Sequence, residues 1–406
     1  MGRKRRTSVL LAVVLIFFLI SLPVGVFAEG KKEPGPGQAV LKVGVLGVMS
    51  GAAASWGLVM KYCTEAIAQL YNEKGGVEID GKKYKIEAIS VDDKNDPKVA
   101  KTGMERLVYQ EKVKYIIGTN IDDTTASSQP VLESSGAINI TYAFARELFK
   151  APHSNTILGM HTPYTSAPVI YKYMQEKRGV KTVSFIARND ADSLYERTEG
   201  LEVAKAVGLK IISWKDTYEP GTTDFFPVIT KVISGNPDLI VLSGVSPGDA
   251  PQLIKAAREL GYKGNMSTET AQDAKILMEV AGDYANGYVS VGGASTPEWR
   301  SPYMEKFMDA YTKIAGEWND EAGTKCYALE MILLTLQKAG TAALTDVEVF
   351  KKTIPQVVVQ NPFIKQDLSL RYVGAEIFGQ PRQIGVPLVI NQYKNGDFET
   401  LIVKTD

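Results

Sequence analysis

The sequence predicts an α/β protein with two similar lobes, each built around a parallel sheet. Helical and strand patterns alternate along the chain with little interruption, which is typical of parallel sheets with helices on both faces. The pattern starts twice, with LKVGVLG from Leu41 and with KTVSFIAR from Lys181. The chain has 406 residues, which is too long for one ordinary core and enough for two.

An export signal precedes the first lobe. Residues 3–6 are basic, residues 9–22 are apolar, and Val26-Phe27-Ala28 fits a signal peptidase site. We expect a signal peptide over residues 1–28 that is cleaved after Ala28, a flexible tether over residues 29–39, and a periplasmic or otherwise extracytoplasmic mature protein. The alternative is an uncleaved anchor, since the apolar stretch approaches the ~20 residues that a membrane span needs.

Composition narrows the range of partners. The chain has 46 Lys and Arg residues and 46 Asp and Glu residues, so no net field favours nucleic acid or an anionic membrane. We therefore expect no nucleic-acid partner. The two cysteines, Cys63 and Cys326, fall on separate predicted helices. A disulfide and two buried thiols both fit an exported protein, and the apolar helix faces favour the thiols.

The first folded element is a strand that ends in a Gly/Ser turn and leads into a helix, over residues 41–57 and beyond. Gly75-Gly76 ends the helix as a C-terminal cap. One face of the helix carries apolar residues at three-and-four spacing, namely Val59, Cys63, Ala66, Ile67 and Leu70. Backbone N–H groups at such a junction point beyond the strand end, where open α/β sheets bind ligands.

Strands and helices alternate in the rest of the chain. Further strands are predicted at residues 84–91, 115–118, 138–141, 182–187, 209–213, 239–243 and 287–291. Helices are predicted at residues 97–109, 166–176, 195–206, 225–233, 251–260, 303–314, 325–338 and 347–354. The last three helices follow the strands of the second lobe. Their most economical place is on the first lobe, so the chain must cross between the lobes more than once.

One motif has the form of a catalytic turn. Gly244-Val245-Ser246-Pro247-Gly248 matches the G-x-S-x-G nucleophile elbow of serine hydrolases and lies between a strand and a helix. Pro247 has no backbone N–H to donate to an oxyanion. Both histidines, His153 and His161, precede the serine, against the hydrolase order. The serine hydrolase alternative is therefore disfavoured, and the turn is expected to line a cleft.

Other catalytic and metal motifs are absent from the sequence. There is no C-x-x-C, H-E-x-x-H, P-loop lysine or G-x-G-x-x-G after a strand. The acidic run DDKND at residues 92–96 lacks the EF-hand spacing, and a turn with a helix N-cap explains it better. We therefore expect a binding protein, not an enzyme, with no metal and no cofactor.

A family resemblance rests on seven segments taken in order. LKVGVLGVMSG, SWG, NEKGGV, VDDKNDPKVA, VKYIIG, LIKAARELGYKG and AGDYANGYV resemble the periplasmic Leu/Ile/Val-binding proteins of ABC importers, from Leu41 to about Val403. The resemblance implies two Rossmann-like lobes joined by three hinge crossings, near residues 159–163, 289–294 and 383–387. The implied N-terminal lobe comprises residues 40–160 and 293–384, and the C-terminal lobe comprises residues 161–292 and 385–406.

The resemblance also implies a function. The chain would be a monomeric solute-binding protein that delivers a small ligand, an amino acid or a related polar or amphipathic molecule, to the membrane subunits of an ABC permease. Closure of the two lobes on the ligand, in the manner of a Venus flytrap, would be the signal that the permease reads. The alternative from another class is a ligand-sensing ectodomain of the same fold.

Part of the implied pocket carries over by position. Trp56 stands where an aromatic residue covers the ligand, and Glu269 stands at the acidic residue that meets the ligand's ammonium group. Asp192, Tyr195 and Ser246 follow strand ends of the second lobe, which places them at the cleft rim. The alternatives are a surface aromatic for Trp56 and a helix cap for Glu269.

The first-lobe subsite departs from the family. The family holds an α-carboxylate with a serine and a threonine, whose places here read Asp122 and Ala145, with Asp123, Ala143 and Arg146 beside them in the candidate site. A carboxylate cannot donate a hydrogen bond to another carboxylate. An ammonium, amide or hydroxyl group is therefore expected here, and leucine is expected to bind poorly. Alternatively, Asp122 caps the following helix, and Arg146 either meets a ligand carboxylate or lies on the surface.

The signal sequence leads to a testable prediction about export and cleavage. The mature protein should be exported and should begin at Glu29 or within a few residues of it, because Ala28 ends the small-residue cleavage site. N-terminal sequencing of the protein recovered outside the cytoplasm measures this directly. Recovery of the full-length chain in the membrane fraction alone would contradict it.

Overall fold

The computed structural model describes residues 39–51 and 53–404, so the predicted signal peptide and nearly all of the predicted tether lie outside the described residues. The described residues form one compact unit with two central sheets. We use "first lobe" for the sheet that begins with Ala39 and its helices, and "second lobe" for the other sheet and its helices. No helix in residues 39–51 and 53–404 is both long and apolar enough to cross a membrane.

The chain first builds most of the sheet of the first lobe. Its elements are β1 (Ala39–Gly47), α1 (Ala54–Glu73), β2 (Val77–Ile79), β3 (Lys82–Asp92), α2 (Pro97–Glu105), β4 (Tyr115–Gly118), α3 (Asp122–Ser135), β5 (Ile138–Thr141) and β6 (Thr156–Leu158). A π-helical segment, Arg106–Gln110, continues α2.

The chain then passes to the second lobe. Its elements there are α4 (Pro163–Arg178), β7 (Thr182–Arg188), α5 (Ala191–Ala206), β8 (Lys210–Tyr218), α6 (Phe226–Ile233), β9 (Leu239–Ser243), α7 (Ala250–Glu259), β10 (Asn265–Ala271), α8 (Ala274–Val280) and β11 (Val289–Gly292).

The last part of the chain returns to the first lobe and ends in the second. The returning elements are α9 (Pro302–Ala315), α10 (Ala322–Lys325), α11 (Tyr327–Ala339), α12 (Val347–Thr353), β12 (Val358–Gln360), β13 (Ser369–Val373), α13 (Ala375–Phe378) and β14 (Gln383–Ile384). Strands β15 (Leu388–Lys394) and β16 (Asp397–Lys404) complete the second sheet. Within the described residues the chain thus changes sheets after β6, after β11 and after β14, whereas the exact domain boundaries stay a prediction.

The parallel strands of both sheets carry the fold. Among the described residues, the first sheet has the order β12-β13-β14-β6-β5-β4-β1-β3-β2, and the second has the order β16-β15-β11-β10-β9-β7-β8. Strands β3, β1, β4, β5, β6 and β14 run parallel, as do β8, β7, β9, β10 and β11. The two-lobed parallel α/β fold that the sequence predicts is therefore confirmed.

Each sheet has a core on both faces. Val45 and Leu46 are successive residues of β1, and they belong to separate clusters, one with α1, α9 and α11 and one with α2 and α3. In the second lobe, Phe185 and Ile186 of β7 likewise belong to separate clusters, one with α4 and α5 and one with α6 and α7. Burial of both faces explains why these strands are almost continuously apolar.

The turn after β1 depends on a glycine. Gly57 lies in the first turn of α1, and a Cβ atom added there would lie 2.0 Å from the carbonyl oxygen of Val48. A larger residue would push the start of α1 away from the end of β1. The close approach holds the neighbouring Trp56 beside the end of the sheet.

The acidic run after β3 has a structural role. Asp96 accepts hydrogen bonds from the N–H groups of Lys98 and Val99 at the start of α2, and Asp93 accepts one from Asn95. The expected turn and helix N-cap are confirmed.

Some elements differ from their predicted bounds. Strand β10 was not predicted because its sequence, NMSTETA, is largely polar. Helix α5 begins at Ala191 instead of residue 195, because Asp190 caps it by accepting a hydrogen bond from the N–H of Ser193. The strands β12, β13, β15 and β16 were also missed. Strands β12 and β13 are short, β12 and β16 lie at sheet edges, and in β15 the apolar start is followed by polar residues.

The two cysteines are free and buried. The Sγ atom of Cys63 lies 3.8 Å from the carbonyl oxygen of Ala322, and that of Cys326 lies 3.6 Å from the carbonyl oxygen of Gly323. Burial raises the pKa of both thiols, so that little reactive thiolate forms at neutral pH.

A thiol titration tests this arrangement. Native protein, purified without reductant, should react with a thiol reagent only slowly, because both thiols are buried and protonated. After unfolding in guanidinium chloride, both cysteines should react at once. A reductant-treated sample serves as the control, and unfolded protein that needs this treatment before it reacts would reveal a disulfide instead.

Candidate ligand-binding site

A cavity lies between the two lobes, where the carboxyl ends of the parallel strands meet. This is the edge at which open α/β sheets bind ligands. The cavity has a volume of about 80 Å³, which is room for several water molecules or a small solute. Its lining residues are Trp56, Asn120, Tyr142, Phe144, Met160, His161, Pro163, Asp192, Glu196, Gly244, Glu269, Thr270, Ala271, Val291, Glu321, Thr324 and Lys325.

The first lobe contributes an aromatic wall. Trp56 lies in the first turn of α1, whereas Tyr142 and Phe144 follow β5. The Trp56 backbone carbonyl accepts hydrogen bonds from Asn120 Nδ2 at 3.3 Å and from Lys325 Nζ at 3.2 Å. Trp56 is therefore held from both sides at the cavity, and it is not a surface aromatic packed only on its own helix.

A buried ion pair lies in the same wall. Lys325 and Glu321 are one helical turn apart and form a salt bridge, with only 4% and 6% of each residue exposed. The Lys325 ammonium also lies 5.2 Å from the centre of the Tyr142 ring. Because the two charges offset each other, this wall presents little net charge to the cavity.

The second lobe contributes two buried carboxyl groups. Glu196 lies in α5 and Glu269 in β10, and their exposed fractions are 0% and 3%. The Tyr171 hydroxyl donates a short hydrogen bond to Glu269 Oε1. Burial raises the pKa of both carboxyl groups, and the neighbouring Glu269 raises that of Glu196 further. Glu269 caps no helix, since Asp273 is the residue that caps α8.

Asp122 lies behind the aromatic wall and accepts hydrogen bonds from the next loop. Its Oδ1 atom accepts from the N–H of Phe144 at 2.8 Å and from the N–H of Ala145 at 3.0 Å. Burial raises the pKa of Asp122, while these two N–H groups lower it. The helix-capping alternative is wrong, because Asp122 is itself the first residue of α3 and the helix has no side-chain cap.

Asp192 joins the two lobes. Its Oδ1 atom accepts a hydrogen bond from the backbone N–H of Asp122 at 3.1 Å. Burial raises the pKa of Asp192, and the nearby Asp122 carboxylate raises it further. The N-terminal ends of α3 and α5 therefore meet across the cleft through one hydrogen bond.

Further contacts hold the lobes together around the cavity. The Arg188 guanidinium lies 4.9 Å from the centre of the Trp56 ring, and Arg146 Nη2 lies 2.8 Å from Glu199 Oε2. At another point the Asp320 N–H donates to Asp273 Oδ2, and the Ala274 N–H donates to Asp320 Oδ2, both at 3.1 Å. Lys275 forms a salt bridge with Glu317 beside them. The structure is that of a closed cleft.

Of the predicted site residues, Trp56, Asp192 and Glu269 line the cavity. Instead, the Ala145 N–H donates a hydrogen bond to Asp122. Ala143 is fully buried in a separate cluster, and Asp123 is exposed. Arg146 is engaged by Glu199 and by the Tyr164 ring, 4.2 Å away, and the Tyr195 hydroxyl accepts from the Arg146 N–H at 3.4 Å. These last two residues thus bridge the lobes outside the cavity.

Ser246 shows no catalytic arrangement. Its hydroxyl accepts a hydrogen bond from the N–H of Asp249 at 3.2 Å, which closes the turn before α7. His161 Nε2 is 2.7 Å from the carbonyl oxygen of Pro387, so this histidine has another partner. Gly244, in contrast, lines the cavity with a φ of 63°, where an added Cβ would lie 2.5 Å from Ser193 Cα.

Sequence reasoning missed Asn120, Glu196, Glu321 and Lys325. Glu196 lies four residues after Asp192, and Lys325 lies four residues after Glu321, so each pair shares a helix face. That spacing was the available signal for Glu196 once Asp192 was in the candidate site. Among residues 39–51 and 53–404, no group of three or more His, Cys, Asp or Glu side chains is arranged to hold a metal ion.

Two lobes with a cavity between them at the carboxyl ends of their strands are the architecture of a two-lobed binding protein. The sequence matches a family model described as periplasmic binding protein over residues 40–373. The chain therefore belongs to the periplasmic binding protein family, as the seven segments predict. It is a solute-binding protein and not an enzyme.

Curated relatives share part of the sequence. The Leu/Ile/Val/Thr-binding protein of Salmonella typhimurium is 27% identical over 253 residues, which cover 61% of this chain and 66% of the relative. The Leu/Ile/Val-binding protein of Escherichia coli is 26% identical with the same coverage. The chain thus spans about 66% of the length of the curated relatives that it matches.

Solved structures share the fold over most of both chains. A leucine-binding protein from Thermotoga maritima has a TM-score of 0.74 and 19% identity, over 90% of this chain and 98% of that one. A branched-chain amino acid substrate-binding protein from Streptococcus pneumoniae, in complex with isoleucine, has a TM-score of 0.75 and 20% identity, over 90% and 100%. A solute-binding protein from Rhodopseudomonas palustris, in complex with 3,4-dihydroxybenzoic acid, has a TM-score of 0.74 and 21% identity, over 90% and 97%.

His161 makes the stability of the protein sensitive to acid. Burial lowers its pKa from 6.5 to about 4, so the folded protein keeps it neutral while the unfolded chain takes up a proton below pH 6.5. The stability that this provides is complete above pH 6.5 and is lost as the pH falls toward 4. Between pH 7.5 and 5 the loss should reach about 2 kcal/mol.

Urea unfolding of wild type and His161→Gln at several pH values measures this effect. The difference in unfolding free energy between the two proteins isolates the histidine from the carboxyl groups, which titrate in both. Wild type should lose about 2 kcal/mol more than the variant between pH 7.5 and 5. Parallel curves would show that His161 is accessible to protons in the folded state.

Proposed function

We propose that the chain is an exported solute-binding protein that presents a small ligand to the membrane subunits of an ABC permease. The family match, the cavity between the lobes and the signal sequence support this role. The mature protein would act as a monomer, with residues 40–160 and 293–384 in one lobe and residues 161–292 and 385–406 in the other. The three chain crossings would serve as the hinge.

Closure would couple solute binding to recognition by the permease. The contacts between Asp122 and Asp192, and between Arg146 and Glu199, exist only when the lobes are together. A solute that touches both walls binds the closed form better than the open form, and it shifts the population by that difference in affinity. The permease would then engage the closed form.

The ligand would lack a carboxylate at the first-lobe end of the cavity. The observation that carries this proposal is that Asp122 occupies the N–H groups of both Phe144 and Ala145. Two curated relatives are named for Leu, Ile and Val, and a neighbour in fold holds 3,4-dihydroxybenzoic acid. A carboxylate of such a ligand would have to displace Asp122 from its donors or lie against it.

Branched-chain amino acids should therefore bind weakly. Two carboxylates about 4 Å apart repel by about 4 kcal/mol at an effective dielectric constant of about 20, which corresponds to a loss of about 1,000-fold in affinity. Calorimetric titration of the wild-type protein with leucine, isoleucine and valine should show no saturable binding with a dissociation constant below about 1 mM. That value corresponds to a binding free energy of about −4.1 kcal/mol. Asp122→Ser should strengthen leucine binding at least about tenfold, because it frees the two N–H groups and adds a hydroxyl donor.

The neighbouring residue provides the matched control. Asp123 is exposed and follows Asp122 in α3, so Asp123→Ser removes the same charge without freeing a donor. This variant should bind leucine as weakly as the wild type does. Tight leucine binding by the wild type, or an equal gain in both variants, would refute the proposed ligand class.

A further inference from the structure

We propose that Glu196 and Glu269 form a paired carboxyl site that binds the N–H end of a small organic cation. The inference rests on the proposed function, because it names the ligand class of the same cavity. It adds a residue, Glu196, that no sequence motif indicated. The second lobe would then recognise the cationic N–H end of a ligand whose carboxylate the first lobe does not hold.

The protein supplies few donors to the carboxyl oxygens of this pair, and the Tyr171 hydroxyl, on Glu269 Oε1, is one of them. Among the described residues, three buried oxygens of the pair have no hydrogen-bond partner. They are both carboxyl oxygens of Glu196 and Oε2 of Glu269. Both side chains line the cavity. A buried carboxyl group that lacks donors is costly, because it has lost water and gained nothing in return.

Among residues 39–51 and 53–404, no cationic side chain offsets the charge of this pair. The groups that face it from the surrounding elements are Tyr171 of α4, Asp192 of α5, the Gly244 N–H after β9, and Tyr288 before β11. On the opposite wall, the Lys325 ammonium is paired with Glu321. Within the part of the chain that the structure describes, the missing positive charge and donors at Glu196 and Glu269 therefore have to come from the ligand.

The opposite wall suits the same ligand. Trp56, Tyr142 and Phe144 present aromatic side chains to the cavity, and aromatic faces attract organic cations. The cavity, with a volume of about 80 Å³, has room for a small molecule. An alkyl ammonium ion satisfies both walls, since its N–H groups meet the carboxylates and its carbon chain meets the rings.

Binding should release a proton. Before the ligand enters, the two carboxyl groups share one proton, because two adjacent buried carboxylates do not both ionise at neutral pH. An ammonium N–H donor replaces that proton, which leaves for the buffer, and no other bond changes. The affinity for the cation should therefore rise with pH until the pair is fully ionised.

Calorimetry of the mature wild-type protein with n-butylamine and putrescine tests the proposal, with 1-butanol as the neutral analogue. At pH 7.5 at least one amine should bind saturably and 1-butanol should not. Titrations in phosphate and in HEPES, which differ in heat of ionisation and carry no primary ammonium group, should report about one proton released per amine bound. The affinity should be lower at pH 6 than at pH 7.5.

Variants on one helix make the assignment specific. Glu196→Gln should weaken amine binding at least tenfold and reduce the proton release, whereas Glu202→Gln, at an exposed position of the same helix α5, should change neither more than about twofold. Glu196→Gln should melt at or above the wild-type temperature, because it removes a buried carboxyl group. If it does not fold, Glu269→Gln is measured in its place.

Several results would overturn the proposal. These are the failure of both amines to bind the wild type, equal binding of 1-butanol, and unchanged amine binding by Glu196→Gln. Saturable binding of a neutral amide or polyol without proton release would also overturn it, yet would leave the proposed function intact. Tight binding of leucine would instead contradict the proposed ligand class itself.

Discussion

The cleft depends on the hydrogen bonds of one residue, Asp122. Its carboxylate accepts from the N–H groups of Phe144 and Ala145, and its own N–H donates to Asp192 of the opposite lobe. Hydrogen bonds to a charged group contribute roughly 1.5–3 kcal/mol each, which offsets part of the cost of burying the carboxylate. The same residue therefore orders the loop after β5, links the lobes and removes two donors that a ligand carboxylate would need.

The charges at the cavity are arranged unevenly between its walls. The first-lobe wall is aromatic and contains the Lys325–Glu321 pair, whose charges offset each other. The second-lobe wall contains Glu196 and Glu269, and no cationic side chain of the described residues pairs with them. The low dielectric constant of the buried cavity strengthens each hydrogen bond formed there and raises the free-energy cost of each unpaired polar group. A solute that supplies positive charge is thus favoured most when both walls enclose it, which couples its binding to closure.

Most of the fold was predictable from sequence because its signals are local. Strands β1, β4 and β9 are short apolar runs, and the glycines and caps that follow them mark the turns. The polar strand β10 was not predictable, since only its neighbours β9 and β11 make it a strand. Trp56, Asp192 and Glu269 were found because strand ends and family positions indicate them. The acceptor role of Asp122 was not, because it depends on where the loop after β5 lies.

The most direct test is a crystal structure of the mature protein with the solute that it retains on purification. We expect the Phe144 and Ala145 N–H groups to stay on the Asp122 carboxylate, while a cationic N–H group of the solute lies within hydrogen-bond distance of Glu196 or Glu269. A solute carboxylate on those two N–H groups, with Asp122 displaced, would contradict the roles proposed for Asp122, Glu196 and Glu269.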